Sequence, residues 1–96
     1  MKITDIKIKD GKYVQGLEVP LGQATFILIK APKGYVACGY WNIDAAEKFS
    51  DAAAIVRGVK NIDDALHAAI TDTTSSARKL GIKKGMICLK ALEKLF

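Results

Sequence analysis

The stretch Ala24-Thr25-Phe26-Ile27-Leu28-Ile29-Lys30-Ala31-Pro32-Lys33-Gly34-Tyr35-Val36-Ala37-Cys38-Gly39-Tyr40-Trp41 decides the fold. It holds two apolar runs, Phe26–Ile29 and Tyr35–Trp41, on either side of the turn residues Ala31-Pro32-Lys33-Gly34. Neither run alternates apolar with polar positions. Both therefore read as strands that are covered on both faces.

Toward the N-terminus, Ile6 and Ile8 alternate with Lys7 and Lys9, a period of two that marks a strand over 2–9. Asp10-Gly11 supplies a hairpin turn. A second strand over 13–19 places Tyr13, Leu17 and Val19 on its apolar face, with Val14 and Glu18 opposite and Gly16 as a bulge.

Toward the C-terminus, Asn42 caps a helix running through Ala45, Ala46 and Phe49. Residues 53–59 read as a short fifth strand. Asn61 caps a second helix, with Asp63 and Asp64 in its first turn and Ile62, Leu66, Ala69 and Ile70 on one face. Thr73 or Thr74 starts a third helix that Gly81 ends. Met86, Leu89, Leu92 and Phe96 form the buried stripe of a last one. The fold class is α+β: an N-terminal antiparallel sheet of four to five strands, followed by short helices packed on one face.

Ninety-six residues form a single domain, and 50% hydrophobic with 26% charged residues argues against disorder. No apolar run reaches the ~20 residues of a membrane helix, and Met1-Lys2-Ile3-Thr4-Asp5 has no signal-like character. The expected setting is the cytoplasm, with no membrane partner. Cys38 and Cys88 form no CxxC pair and are expected reduced and buried, not bonded to each other. One histidine and no paired ligand spacing offer nothing for a structural metal, and no cofactor signature is present. The net charge is +5, but thirteen of the fifteen cations are lysines scattered from Lys2 to Lys94, which argues against nucleic acid as the partner.

Short helices can cover one face of a four- or five-stranded sheet, but hardly two. The second face of the third and fourth strands needs another cover, and a second copy of the chain is the simplest one. Curling of the sheet into a half-barrel is the other.

Four residues are candidates for a ligand site: Cys38, Gly39, Arg57 and Gly58. Cys38 sits in an apolar strand, where a packed thiol is the plainer reading. Gly39 after it suits close backbone approach. Arg57 stands among Ile55, Val56 and Val59 and needs an anionic partner if buried: Asp63, Asp64, an acid of another subunit or a bound anion. The hydroxyls of Thr71, Thr73, Thr74, Ser75 and Ser76 read as helix capping before phosphate binding. Lys83-Lys84-Gly85 is an equally weak anion spot, His67 reads as a surface or half-buried residue rather than a base, and Tyr40 and Trp41, which could stack a ring, sit better as strand-end core.

Three segments in order resemble the YunC-like family of unknown function (DUF 1805). They are Gly34-Tyr35-Val36-Ala37-Cys38-Gly39-Tyr40, then residues 56–66 from Val56-Arg57-Gly58-Val59 to Asp64-Ala65-Leu66, then Ala77-Arg78-Lys79-Leu80-Gly81-Ile82-Lys83-Lys84-Gly85-Met86 continuing to Ala91-Leu92. The resemblance implies an α+β fold whose N-terminal β region, residues 1–41 here, builds a tetramer. It implies no known activity. Cys88 and Lys90 stand where the family more often has a small residue and an acid.

Three functional readings follow: an oligomeric, non-enzymatic domain that binds a partner or a small anionic ligand; a small enzyme or sensor using Cys38 and Arg57 at a subunit junction; and nucleic-acid binding through surface lysines.

Overall fold

The computed structural model describes residues 1–96. Ten elements follow in chain order: β1 (Lys2–Lys9), β2 (Lys12–Leu21), β3 (Ala24–Ala31), β4 (Gly34–Ala37), α1 (Ile43–Lys48), β5 (Ala53–Ile55), α2 (Ile62–His67), β6 (Asp72–Thr73), α3 (Ser75–Lys79) and α4 (Cys88–Glu93). The fold is α+β, with a six-stranded sheet in the order β1-β2-β3-β4-β5-β6. The sixth strand is two residues long and lies where only a helix cap was expected. Every pairing is antiparallel except β4 with β5, which α1 connects as a parallel crossover. No helix is long and apolar enough to cross a membrane.

Register assigns the two faces. Ile6 pairs Val14, Gly16 pairs Ile29, Ile29 pairs Val36 and Val36 pairs Ala54, so these residues share one face. It carries the main core, closed from above by Ala65 of α2 and Cys88, Ala91 and Leu92 of α4, together with Leu95. Tyr13, Leu17 and Val19 do share a face, but it is the other one. Val14 is the residue that turns inward and is buried. Val14 fits the inner side because that is the face on which the helices build the main core. Gly16 there is a seat for a helix, not a bulge: a Cβ at Gly16 would lie 2.5 Å from Ile62 Cδ1. Glu18, also on that side, reaches α2 and accepts a hydrogen bond from the Ile62 amide at 3.1 Å. The register irregularity sits in β1, between Lys7 and Lys9.

The outer face carries the cross-strand row Ile3–Leu17–Leu28–Ala37–Ile55, with Val19 beside Phe26. Helices α2 and α4 gather on the inner face as expected. Helix α1 is the exception. It lies over the outer side of β4 and β5, where Ala37, Ala46, Ala53 and Ile55 are buried outside the main core. Its cover stops there. Ile3, Leu21 and Trp41 remain exposed on the outer face.

Two strands end earlier than their apolar character suggested. The run 35–41 leaves the sheet after Ala37, because Cys38 to Trp41 is a turn closed by the Trp41 amide on the Cys38 carbonyl at 3.0 Å. The fifth strand ends at Ile55, not Val59. The second helix stops at His67, short of Ile70, because Ile70 instead exchanges backbone bonds with Met86 and Gly85.

Candidate functional site

The only parallel pair of the sheet creates the site. β4 and β5 run in the same direction, so their carboxyl ends lie side by side and launch two loops together. One is Cys38-Gly39-Tyr40-Trp41 and the other Val56-Arg57-Gly58-Val59. In sheets with parallel strands, the crevice beyond those ends is where ligands are received. Here it is a cleft of about 320 Å³, lined by Ala24, Thr25, Cys38, Gly39, Tyr40, Gly58 and Val59. The volume is at the small end of ligand pockets.

All four residues singled out from the sequence meet at this place. Cys38, Gly39 and Gly58 line the cleft, and Arg57 lies against Gly39 beside it. A Cβ added to Gly39 would lie 3.1 Å from an Arg57 guanidinium nitrogen, so the glycine lets the arginine lie close against the turn. Gly58 has φ +71, a conformation that L side chains rarely adopt, and this turns the second loop back over the cleft.

Cys38 is buried and prolongs the pairing with β3 by one residue. Its amide donates to the Ile27 carbonyl at 2.9 Å, and its Sγ accepts from the Ile27 amide at 3.2 Å. The thiol thus satisfies a main-chain donor that the departing strand leaves behind. No imidazole or carboxylate lines the cleft to activate it. His67 stands elsewhere, exposed on α2, with its ring against the Asp63 carbonyl.

Arg57 lies beyond the strand rather than within it, and its side chain is 55% exposed. Its anionic partner is Asp72, neither Asp63 nor Asp64. Nε and an Nη atom donate to the same Asp72 oxygen at 3.3 and 3.0 Å. The Thr71 hydroxyl donates to that oxygen as well, at 3.0 Å. These two donors, Thr71 first, hold the Asp72 carboxyl below the usual carboxylate range. Sequence reasoning missed Asp72 because β6, which brings it beside β5, is too short to leave a periodic signal. It also missed Ala24 and Thr25, which enter the cleft from the start of β3.

The other sequence candidates are used structurally. Each of the five hydroxyls in 71–76 has a partner. Thr74 caps α3 by accepting from the Ala77 amide. It also accepts from the Ala53 amide at 3.0 Å and donates to the Asp51 carbonyl at 2.6 Å, which pins α3 to the start of β5. The Gly85 amide is taken by the Ile70 carbonyl. Cys88 is fully enclosed, and desolvation pushes its thiol up to about 12.

On the outer face, a second hollow of about 270 Å³ lies between Tyr35, Trp41 and α1. Trp41 Nε1 donates to the Tyr35 hydroxyl at 3.1 Å, and that hydroxyl donates to Asp51 at 2.6 Å. Trp41 also meets Phe26, ring centroids 5.9 Å apart, so the aromatic group extends the apolar row of the sheet.

The comparisons with known proteins agree with this architecture. The chain is 30% identical to the uncharacterized protein YunC of Bacillus subtilis (strain 168), over 99% of this chain and 97% of that one. It superposes with a TM-score of 0.92 on the crystal structure of TA1206, a protein of unknown function from Thermoplasma acidophilum. That pair is 37% identical, over 99% of this chain and 92% of the other. The model of the domain-of-unknown-function family DUF1805 matches residues 37–95, which include both loops of the cleft. The chain belongs to the DUF1805 family.

Proposed function

We propose that this chain is a non-enzymatic, oligomeric binding domain of the cytoplasm. Copies associate through the outer face of β1–β3, giving a tetramer, and the cleft between the two loops receives a small ligand whose negative group meets Arg57. The observation that carries this reading is the bare apolar row on the outer face. Ile3 is 65% exposed and Leu21 is 48% exposed, and between them lie the half-buried Leu17, Val19, Phe26 and Leu28. Contiguous apolar surface of this kind marks an interface more often than a free surface. A second copy is the fitting occupant, because a sheet face of this sort is self-complementary about a two-fold axis. Cleft chemistry favours binding over reaction, since its thiol has no base beside it. Two buried free thiols suit a reducing compartment.

Sedimentation velocity tests the assembly. The parent is expected to sediment as an oligomer at micromolar concentration. Ile3→Lys combined with Leu21→Lys is expected to give a folded monomer, because both side chains are already exposed and add little to the protomer itself. A stable parent monomer at that concentration overturns the proposal.

A further inference from the structure

Four of the thirteen lysines scattered along the chain come together in space. Lys9 ends β1, Lys12 opens β2, and Lys90 and Lys94 stand one helical turn apart at α4. With Ile87 and Glu93 they line a groove of about 640 Å³ between the first hairpin and the last helix. Four lysines from three elements thus line a groove with a single acidic side chain, the Lys94 chain lying against Gly81. That acid, Glu93, is already engaged by Lys9. The Lys9 bond comes first among the causes that hold its carboxyl below the usual range, with Lys90 and Lys12 adding to it. Lys12 lies 5.5 Å from the centre of the Phe96 ring. Lys90 and Lys94 have no carboxylate within ion-pair distance.

Like charges spaced four apart on a helix repel, and so do lysines facing each other across a hairpin. The dipole of α4 accounts for Lys94 at its carboxyl end. It accounts for Lys90 as well, which lies in the last turn, but not for the two hairpin lysines. A bound anion with several charges turns this repulsion into attraction.

We propose that the groove formed by Lys9, Lys12, Lys90 and Lys94 binds a compact polyphosphate-type anion. Lysines hold phosphate as point charges, without the fork geometry that arginine brings. No arginine lines the groove, and its neighbouring ring is covered by Lys12, so it lacks the stacking surface that a single nucleic-acid strand uses. The groove shares no residue with the Cys38–Gly58 cleft and lies on the helical side, away from the apolar outer face.

Inorganic tripolyphosphate is the probe, titrated calorimetrically into the full chain at fixed ionic strength. The parent is expected to bind it saturably, and more weakly as salt rises. Lys90→Ala with Lys94→Ala removes two exposed charges without touching the core and is expected to weaken binding at least about tenfold. The same loss of two charges in Lys2→Ala with Lys48→Ala, both exposed and outside the groove, is expected to leave it unchanged. Absence of saturable binding by the parent, or equal binding by the double variant, overturns the proposal. So does binding of a single-stranded oligonucleotide with no response to tripolyphosphate, which would make the groove a nucleic-acid surface.

Discussion

At the scale of single residues, exposure decides how much each polar contact is worth. The Arg57–Asp72 pair is solvent-facing on both sides, and Asp72 keeps its Thr71 donor when the arginine is lost. Exposed pairs contribute about 0.2–1 kcal/mol. Arg57→Met and Arg57→Lys are therefore both expected to melt within a few degrees of the parent, and a loss above about 2 kcal/mol in urea titration would show the pair to be structural. Tyr35 behaves differently. Desolvation, then its bond to Asp51, raises its hydroxyl to about 12 from 10.0. The folded state holds this proton more tightly than the unfolded chain does. The contribution is complete below pH 10 and is lost as pH climbs toward 12. In an alkaline titration, the phenolate absorbance missing from Tyr35→Phe should develop near pH 12, and its appearance near 10 would contradict the hydrogen-bonded chain from Trp41 to Asp51. The four cleft candidates were legible because a cysteine, an arginine and two glycines are out of place in apolar runs. Asp72 was not, because an aspartate among hydroxyl residues looks like any helix cap.

At the scale of elements, the sequence marked where structure begins better than where it stops. Asn42, Asn61 and Thr74 cap α1, α2 and α3 as their side chains suggested. The ends of β4 and β5 were hidden because Cys38 and Val56 stay buried after the strands finish. Hydrophobic character reports burial, and burial outlasts the ladder. The inner side of β2 was misread for a related reason. Gly16 contributes no apolar signal, yet it is the position on which Ile62 rests. Thr74 shows how one cap can join two elements. Its hydroxyl serves α3, the Ala53 amide and the Asp51 carbonyl. Thr74→Ala leaves buried groups without partners and should cost about 2 kcal/mol in chemical denaturation, whereas Thr74→Ser should recover most of it. Equal stability of the two variants would show that the methyl group, not the hydroxyl, matters.

At the scale of the whole molecule, the apolar character of both faces of residues 26–29 was legible from the sequence alone. The inner face obtains its cover from α2 and α4. The outer face obtains only α1, over β4 and β5, and stays bare over β1–β3. Which of the two faces the helices would choose was not legible. Both read as apolar, and the choice rests on register and on the glycine seat for α2. If copies close the bare face, mass action links folding to assembly. The melting temperature of the parent should then rise with protein concentration, while that of the Ile3→Lys, Leu21→Lys variant should not.

The order of strands across the sheet is also their order along the chain. During synthesis, which delivers the N-terminus first, each new strand finds its neighbour already made. Local pairing of this sort closes small loops and is fast. The inner core cannot finish so early. Leu92 and Leu95 are fully buried, and the Leu95 carbonyl holds the turn before β4 through the Lys33 amide at 2.8 Å. A ribosome-bound chain that has not yet released α4 therefore carries strands whose inner face is only partly covered. Whatever shields nascent chains from one another is needed most in that interval.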